Sequence, residues 1–249
     1  MKSRVEAGRA TTYMAAGLLD RAHAGSDPEQ KKRDLWLAEF LIPIVKGGGT
    51  ETSIEVTSLG IQIYGGMGYI EETGAAQHWR DSRITTIYEG TTCIQANDLI
   101  FRKLMRDQGA TARVVFAEVA ATARALNEAD RPELQAIGRR LDAGLKAWED
   151  ATDWVLANAK TGVAGVLTAA VPYLDLAVAV TGGWLMGKAA LAAAGYLDRG
   201  EGDQAFYTAK LASAGFYAEQ SLPLAQARVV SVLAGDGGIA GLGGEALFG

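Results

Sequence analysis

Residues 25–69 read GSDPEQKKRDLWLAEFLIPIVKGGGTETSIEVTSLGIQIYGGMGY, and this stretch decides the fold class. The tetrapeptide Ser26–Glu29 has the spacing of a capping box and carries an early proline, which is typical of a helix start. We predict a helix from there toward Val45, a break or kink at Gly47–Gly49, and a third helix from about Thr50 to Tyr64. The alternation of β-branched residues that indicates a strand is scarce.

The helical pattern continues on both sides of this stretch, in a chain that is rich in alanine, the strongest helix former. Further helices are predicted at Lys2–Ala24, near Glu72–Arg80, at Thr92–Arg106, from an Asp130 cap through Val155, and at roughly 167–198, 203–220 and 222–233, before a glycine-rich tail at Gly235–Gly244. No segment requires a strand. We therefore expect an all-α fold: an up-and-down helical bundle (residues 1–108) followed by a second helical domain (residues 109–249), with the boundary near Gln108–Ala112.

The composition disfavours several classes of function. The chain has 249 residues, of which 49% are hydrophobic and 21% charged, an ordinary globular balance. Its net charge of −5 disfavours nucleic-acid binding. The single cysteine, Cys93, cannot form an internal disulfide, so we expect a reducing, cytoplasmic compartment. His23 and His78 have no metal-ligand spacing, so we expect no metal site.

One stretch, Val166–Leu197, is apolar enough to be considered as a membrane span. Asp175 and Lys188 interrupt it and leave only a short apolar run between them, whereas a span needs about 20 apolar residues. We therefore predict a buried helix of the bundle and no membrane partner. The first residues, Met1–Tyr13, are charged and lack the apolar core of a signal peptide.

Two elements between Gly65 and Thr92 are candidates for chemistry. In the first, Gly65 and Gly66 follow a helix and permit positive φ angles and close approach of a ligand. Its spacing matches neither a P-loop nor a dinucleotide fingerprint, so on the residues alone we favour a plain turn at a helix C-terminus over a ligand site. In the second, Glu89 lies between the apolar pair Ile87–Tyr88 and flexible Gly90.

Two interpretations of Glu89 follow from its neighbours. If the surrounding pocket excludes water, desolvation raises the pKa of the carboxylate and makes it a stronger base near neutral pH. Alternatively, Glu89 is one of 29 acidic residues in the chain, most of which are solvated surface charges. The residues alone leave both interpretations open.

Taken together, the motifs closely resemble those of the C-terminal helical domain of acyl-CoA dehydrogenases. The matching segments are Gln62–Tyr69, Arg80–Ile84, Ile87–Thr91 with Ile94-Gln95, and upstream Met1–Ala10 and Leu41–Lys46. The region after Gly109 is similar to the extra C-terminal domain of larger bacterial members such as the methylmercaptopropionyl-CoA dehydrogenases. Within the second motif we expect Arg80, Asp81 and Arg83 to form a structural ion-pair network.

This resemblance implies an activity centred on Glu89. Glu89 is implied to remove the pro-R α-proton of an acyl-CoA thioester, while the β-hydrogen leaves as hydride to N5 of FAD and a trans-2-enoyl-CoA forms. The backbone N–H of Glu89 is implied to donate to the thioester carbonyl together with a flavin hydroxyl, which stabilises the charge that develops there. Tyr88, which would line the thioester pocket, and Gly90 are implied substrate contacts.

The resemblance also implies cofactor contacts from two subunits. Thr91 matches a threonine that contacts the adenosine half of FAD. Gln62, Gly65 and Gly66 match a segment that reaches the same cofactor from the neighbouring subunit, so a complete site implies at least a homodimer. Cys93 stands where many relatives carry glutamine, and we interpret it as a small residue that faces its neighbours rather than as a reactive thiol.

Members of the family also carry an N-terminal helical domain and a β-barrel domain ahead of this region. We therefore expect the chain to be incomplete at its N-terminus and not to retain FAD alone. In the complete enzyme, the resemblance implies an electron-transferring flavoprotein as electron acceptor. The alternative hypothesis is a catalytically silent helical module for oligomerisation or interaction.

Overall fold

The computed structural model describes residues 1–242, and this part of the chain is built from helices without a strand, as predicted. The α-helices are α1 (Lys2–Ala24), α2 (Pro28–Pro43), α3 (Gly49–Tyr64), α4 (Gly66–Tyr69), α5 (Ala75–Thr85), α6 (Thr92–Asn97), α7 (Ala110–Asn127), α8 (Pro132–Asn158), α9 (Val163–Arg199), α10 (Gln204–Gln220) and α11 (Pro223–Leu233). Two π-helical segments, Ile44–Gly48 and Asp98–Leu104, and three short 3-10 turns complete them. The end of the predicted glycine-rich tail lies outside the described residues.

The first two helices begin and end close to the predicted positions. α1 ends at Ala24, and the N–H of Gly25 caps it by donating to the carbonyl of Arg21. The capping residue of α2 is Asp27 and not Ser26 of the predicted capping box, and its side chain accepts from the N–H of Glu29 at 3.1 Å. An aspartate in this position satisfies a free backbone donor and favours the positive end of the helix dipole.

At Gly47–Gly49 the chain does not break, because a π-helical segment joins α2 to α3; a kink there stays a prediction. Gly47 and Gly48 allow the backbone to pack closely against α9. A Cβ on Gly47 would lie 2.6 Å from the Leu174 side chain of α9, and one on Gly48 would overlap the Val178 side chain. Because neither glycine has a side chain, the backbone at this point lies directly against α9.

α9 is the central helix of the fold. It is long and apolar enough to cross a membrane by length and composition, yet half of its most apolar window is buried within the chain. It contacts α1, α6, α7, α8, α10 and α11. The indole N–H of Trp184 donates to the Thr122 hydroxyl of α7 at 3.0 Å, while Asp175 pairs with Arg228 of α11 at 2.9 Å. This packing agrees with the predicted buried bundle helix.

The predicted Asp130 cap of α8 is wrong. Arg131 occupies the N-cap position in an extended conformation, and no side chain caps the helix there. The reason is Pro132, which begins the helix and disfavours helical backbone at the residue before it. Asp130 therefore lies one residue outside the capping position.

One apolar core runs through both halves of the chain. Leu41 and Leu99 from the first half and Trp148, Tyr173 and Val180 from the second belong to the same buried cluster. The division near Gln108–Ala112 therefore stays a prediction.

Candidate functional site

The loop between α5 and α6 presents Glu89 in an unusual backbone conformation. Glu89 has a φ of 53° and Gly90 a φ of 92°. A left-handed φ is uncommon for a residue other than glycine because it costs free energy. Such conformations persist where the surrounding structure holds them, and they are concentrated at functional sites. The Glu89 side chain is exposed, so this part of the chain does not by itself form the water-excluding pocket that one interpretation of the sequence required.

Lys46 holds this loop in place. Its ammonium donates to the backbone carbonyls of Thr85 at 2.8 Å, Tyr88 at 3.0 Å and Gly90 at 2.7 Å. A lysine ammonium has three donors, so these contacts saturate it. Lys46 lies in the family-like segment Leu41–Lys46, but the sequence alone does not indicate its role. Its place as the single charge between apolar Leu41–Val45 and three glycines is the signal that could have identified it.

Two further side chains fix the far end of the loop. The amide of Gln95 donates to the Glu89 carbonyl at 3.3 Å. The Thr91 hydroxyl accepts from the N–H of Ile94 at 3.4 Å and thereby caps α6. Next to it, the Thr92 hydroxyl donates to Glu51 in the first turn of α3. The loop is thus attached to the N-terminal end of α3.

The glycine-rich turn lies at the other end of α3. Gly65 has φ 60° and ψ −142°, a combination open only to glycine, as the sequence predicted for this position. Gly66 differs from the prediction, because it begins α4 with an ordinary helical backbone. A Cβ on Gly65 or Gly66 would have no atom within 4 Å, so the turn faces open space. Gln62 is exposed in the last turn of α3.

One chain does not bring the two sets of predicted site residues together. Glu89, Thr91 and their supports lie by the first turn of α3, whereas Gln62 and Gly65 lie at its end. The loop contacts α3 at Glu51, and Gln62 lies eleven residues further along, which corresponds to about 16 Å at 1.5 Å per residue. The two sets of predicted site residues therefore lie at opposite ends of α3 within one copy.

Both halves of the chain match described protein families. Residues 1–104 match "Acyl-CoA dehydrogenase, C-terminal domain", and residues 115–242 match "Acetyl-CoA dehydrogenase C-terminal like". The chain belongs to the acyl-CoA dehydrogenase family. It is similar to the 3-methylmercaptopropionyl-CoA dehydrogenase of Ruegeria pomeroyi, with 45% identity over 89% of this chain and 37% of that protein.

Other acyl-CoA dehydrogenases share the same region. The broad-specificity linear acyl-CoA dehydrogenase FadE5 of Mycobacterium tuberculosis is 32% identical over 75% of this chain and 31% of its own length. This chain therefore spans about a third of the length of these relatives.

Solved structures show the same fold. Caenorhabditis elegans ACDH-11 in complex with C11-CoA has a TM-score of 0.69 and 19% identity, over 89% of this chain and 35% of that one. A Bacillus anthracis acyl-CoA dehydrogenase complexed with FAD has a TM-score of 0.69 and 17% identity, over 98% of this chain and 41% of that one.

The charged residues of the second acyl-CoA dehydrogenase motif do not form the expected network with one another. Arg80 pairs instead with Glu71 at 2.8 Å, and Arg83 donates to the hydroxyl of buried Thr86 at the start of the Glu89 loop. Within residues 1–242, Asp81 makes no ion pair. The two arginines therefore stabilise the ends of the segment through separate local contacts.

Cys93 also differs from its interpretation. Its side chain is exposed on α6 and does not pack as a small residue against this chain's own neighbours. It lies two residues beyond Thr91, on the same outward side of the loop as exposed Ile94. The position remains available to a ligand or to another chain.

A cluster of exposed apolar side chains surrounds the glycine-rich turn, and we call it the turn patch. Its members are Ile63 (73% exposed), Tyr64 (59%), Met67 (55%) and Tyr69 (82%). Apolar side chains grouped in this way on a surface are typical of sites that another molecule covers.

Proposed function

We propose that this chain supplies the catalytic base and part of the cofactor site of an FAD-dependent acyl-CoA dehydrogenase, which converts an acyl-CoA thioester to a trans-2-enoyl-CoA. The observation that carries the proposal is the Glu89 loop: a carboxylate on a left-handed residue, held by Lys46 and Gln95 and open to an incoming substrate. Membership of the family and its relatives' names support the reaction class.

Glu89 acts in this proposal as the base that removes the α-proton of the thioester. When substrate and neighbouring protein cover the exposed carboxylate, loss of water raises its pKa and strengthens it as a base. The α-proton is weakly acidic, so the enolate-like oxygen needs a hydrogen-bond donor as its charge develops. The backbone N–H of Glu89 lies in the same loop and can provide one. Bound FAD supplies the acceptor for the β-hydride.

The residues that face outward fit a dinucleotide cofactor. The Thr91 hydroxyl accepts one hydrogen bond and keeps its own O–H free to donate. Gly65 and Gly66 allow close approach, and in the described chain the exposed Gln62 side chain makes no hydrogen bond. Because Thr91 and Gln62 lie at opposite ends of α3, we propose that one subunit contributes Thr91 and its neighbour contributes Gln62, Gly65 and Gly66.

The partners follow from the same proposal. The turn patch would lie at the interface of a homodimer or a higher homo-oligomer, with Tyr88 and Gly90 against the acyl thioester. An electron-transferring flavoprotein would reoxidise the flavin, in the cytoplasm. The second candidate, a catalytically silent oligomerisation module, rests on the turn patch.

The test is the rate at which acyl-CoA reduces flavin in the FAD-loaded enzyme, followed by stopped-flow absorbance. Glu89→Gln should lower that rate by at least about a thousandfold because the amide cannot accept the α-proton, with FAD content unchanged. Glu118→Gln, an exposed glutamate on α7 outside the proposed site, is the matched control and should leave the rate unchanged. Full-rate reduction in the Glu89 variant would refute the proposal, whereas no reduction in the wild-type protein loaded with FAD would favour the silent module.

A further inference from the structure

Lys46 is a cation without a carboxylate partner in residues 1–242. It lies on the π-helical segment Ile44–Gly48, where the wider helical turn changes the direction of side chains. Its three donors all point at carbonyls of one loop. The charge of Lys46 therefore acts on the peptide dipoles around Glu89 rather than on an opposite side-chain charge.

The direction of these carbonyls determines the direction of the amides that follow them. A trans peptide is planar, so the C=O of Tyr88 and the N–H of Glu89 point in opposite directions. Since the Tyr88 carbonyl is aimed at Lys46, the Glu89 N–H points away from it. The Gly90 carbonyl and the Thr91 N–H are related in the same way. Within the described chain, the Glu89 N–H has no acceptor.

We propose that Lys46 is a positioning residue that aims and polarises the Glu89 N–H as the hydrogen-bond donor to the thioester carbonyl of the substrate. The inference rests on the proposed function. A cation at the Tyr88 oxygen draws electron density through the peptide and makes the Glu89 N–H a stronger donor, as in other hydrogen-bond chains. A donor fixed before the reaction stabilises the developing oxyanion without having to reorganise.

The side-chain type matters for this role. A lysine ammonium is a compact charge with three tetrahedral donors, which suits three carbonyls converging on one point. A planar guanidinium keeps the charge but presents its donors in a fixed fork, so Lys46→Arg should preserve only part of the arrangement. Lys46→Met removes the charge and all three donors at similar length.

The first experiment needs no cofactor and uses NMR of the isotope-labelled 249-residue chain. Lys46→Met should move the carbonyl carbon resonances of Tyr88 and Gly90 and the amide resonance of Glu89, and Lys46→Arg should move them less. Lys103→Met is the matched control, because Lys103 is also half-buried and lies on the other π-helical segment. Unchanged Tyr88 and Glu89 resonances in Lys46→Met would overturn the proposal. If Lys46→Met does not fold, resonances in Lys46→Arg identical to wild type would overturn it.

The second experiment measures flavin reduction by acyl-CoA in the FAD-loaded enzyme. Lys46→Met should slow reduction by about tenfold to a hundredfold, less than complete removal of an oxyanion donor. The substrate dissociation constant should change by less than about threefold, because the donor acts on charge that develops in the transition state. Lys46→Arg should recover part of the rate, and Lys103→Met should retain all of it.

The outcomes separate this inference from the proposed function. Loss of reduction in Glu89→Gln with a full rate in Lys46→Met would refute the role of Lys46 and leave the proposed function standing. A full rate in Glu89→Gln would refute the proposed function, whatever the NMR spectra show. A uniform weakening of substrate binding in Lys46→Met, with an unchanged reduction rate, would point to a merely structural role.

Discussion

The carboxylate of Glu6 accepts a hydrogen bond from the Ser213 hydroxyl at 2.7 Å, which joins α1 to α10 across 207 positions of sequence. Lys210 of α10 approaches the same carboxylate at 2.9 Å, and Lys2 contacts it from the preceding turn of α1. Burial raises the pKa of Glu6, but the hydrogen bonds from Lys2, Ser213 and Lys210 outweigh burial and lower the pKa to about 2.

This contact predicts a pH dependence of stability. Because the folded-state pKa of Glu6 lies below its ordinary value of 4.5, the contact stabilises the fold above that pH and is lost as the pH falls toward 2. Glu6→Gln should lower the free energy of unfolding by about 1–3 kcal/mol at pH 7, a range typical of hydrogen bonds to a charged group. The difference from wild type should shrink below pH 4.5 in urea unfolding curves. Glu118→Gln, on an exposed face of α7, is the control and should show no such trend.

Gly48 should not tolerate a methyl group. Its backbone is helical, so alanine is conformationally acceptable, but the added Cβ would overlap Val178 of α9. Gly48→Ala should destabilise the fold by about 1–3 kcal/mol through overpacking. Gly60→Ala in α3, where no atom lies within 4 Å of the added Cβ, should instead stabilise by up to about 1 kcal/mol. Equal thermal shifts for the two variants would contradict this prediction.

Gly90→Ala should lower the free energy of unfolding by more than the strain of its left-handed φ angle alone. At Gly90 an added Cβ would lie 2.6 Å from the Gln95 amide nitrogen, which holds the Glu89 carbonyl. Gly74 has a similar left-handed φ of 73° with open space around it. Gly74→Ala should therefore cost about 1–2 kcal/mol for the backbone alone, and Gly90→Ala more, in chemical denaturation. A smaller cost at Gly90 than at Gly74 would show that Gln95 moves freely.

The turn patch predicts a specific assembly interface. Tyr69→Asp places a charge on its most exposed member and should convert dimers of the 249-residue chain to monomers. Tyr13→Asp is matched for residue type and is also well exposed (67%), but it lies on α1 away from the turn patch. Light scattering coupled to size-exclusion chromatography measures the mass of each. A dimer that persists in Tyr69→Asp would place the interface outside the turn patch. A monomeric wild type would exclude a dimer of this chain.

The 249-residue chain alone should not retain FAD through purification. It contributes only short polar segments at two ends of α3, and each leaves most of a dinucleotide in water. We expect no stoichiometric flavin absorbance after desalting a mixture of chain and FAD. Stable yellow protein at equal stoichiometry would contradict this prediction.

Local sequence signals predicted the helices well and the contacts of the candidate site poorly. The start of α2 and the Gly65 turn depend on neighbours in sequence, so propensity and spacing were enough to predict them, although the capping residue is Asp27 and not Ser26 of the predicted capping box. The Asp130 cap failed because Pro132 shifted the start by one residue. Lys46 and the Thr85–Gly90 carbonyls lie about forty positions apart, and no periodicity reports a contact of that range.

The exposure of the candidate site residues also could not be predicted from the sequence. Glu89 and Cys93 both face outward, although their neighbours in sequence are partly apolar. Whether a carboxylate is desolvated depends on everything packed around it, including other chains. The sequence therefore predicts candidate site residues but not what surrounds them.

The glycines that follow Lys46 give the second half of the chain a part in positioning the base. Gly47 and Gly48 lie against Leu174 and Val178. The distance between this backbone segment and α9 therefore depends on the size of the α9 side chains. A substitution on α9 that changes side-chain volume by one methyl group would displace the glycines and the adjacent Lys46. The Lys46 ammonium, which donates to the carbonyls of the Glu89 loop, would then move as well. Under the proposed function, substitutions in α9 would therefore change the rate of proton removal without altering any residue proposed to touch the substrate.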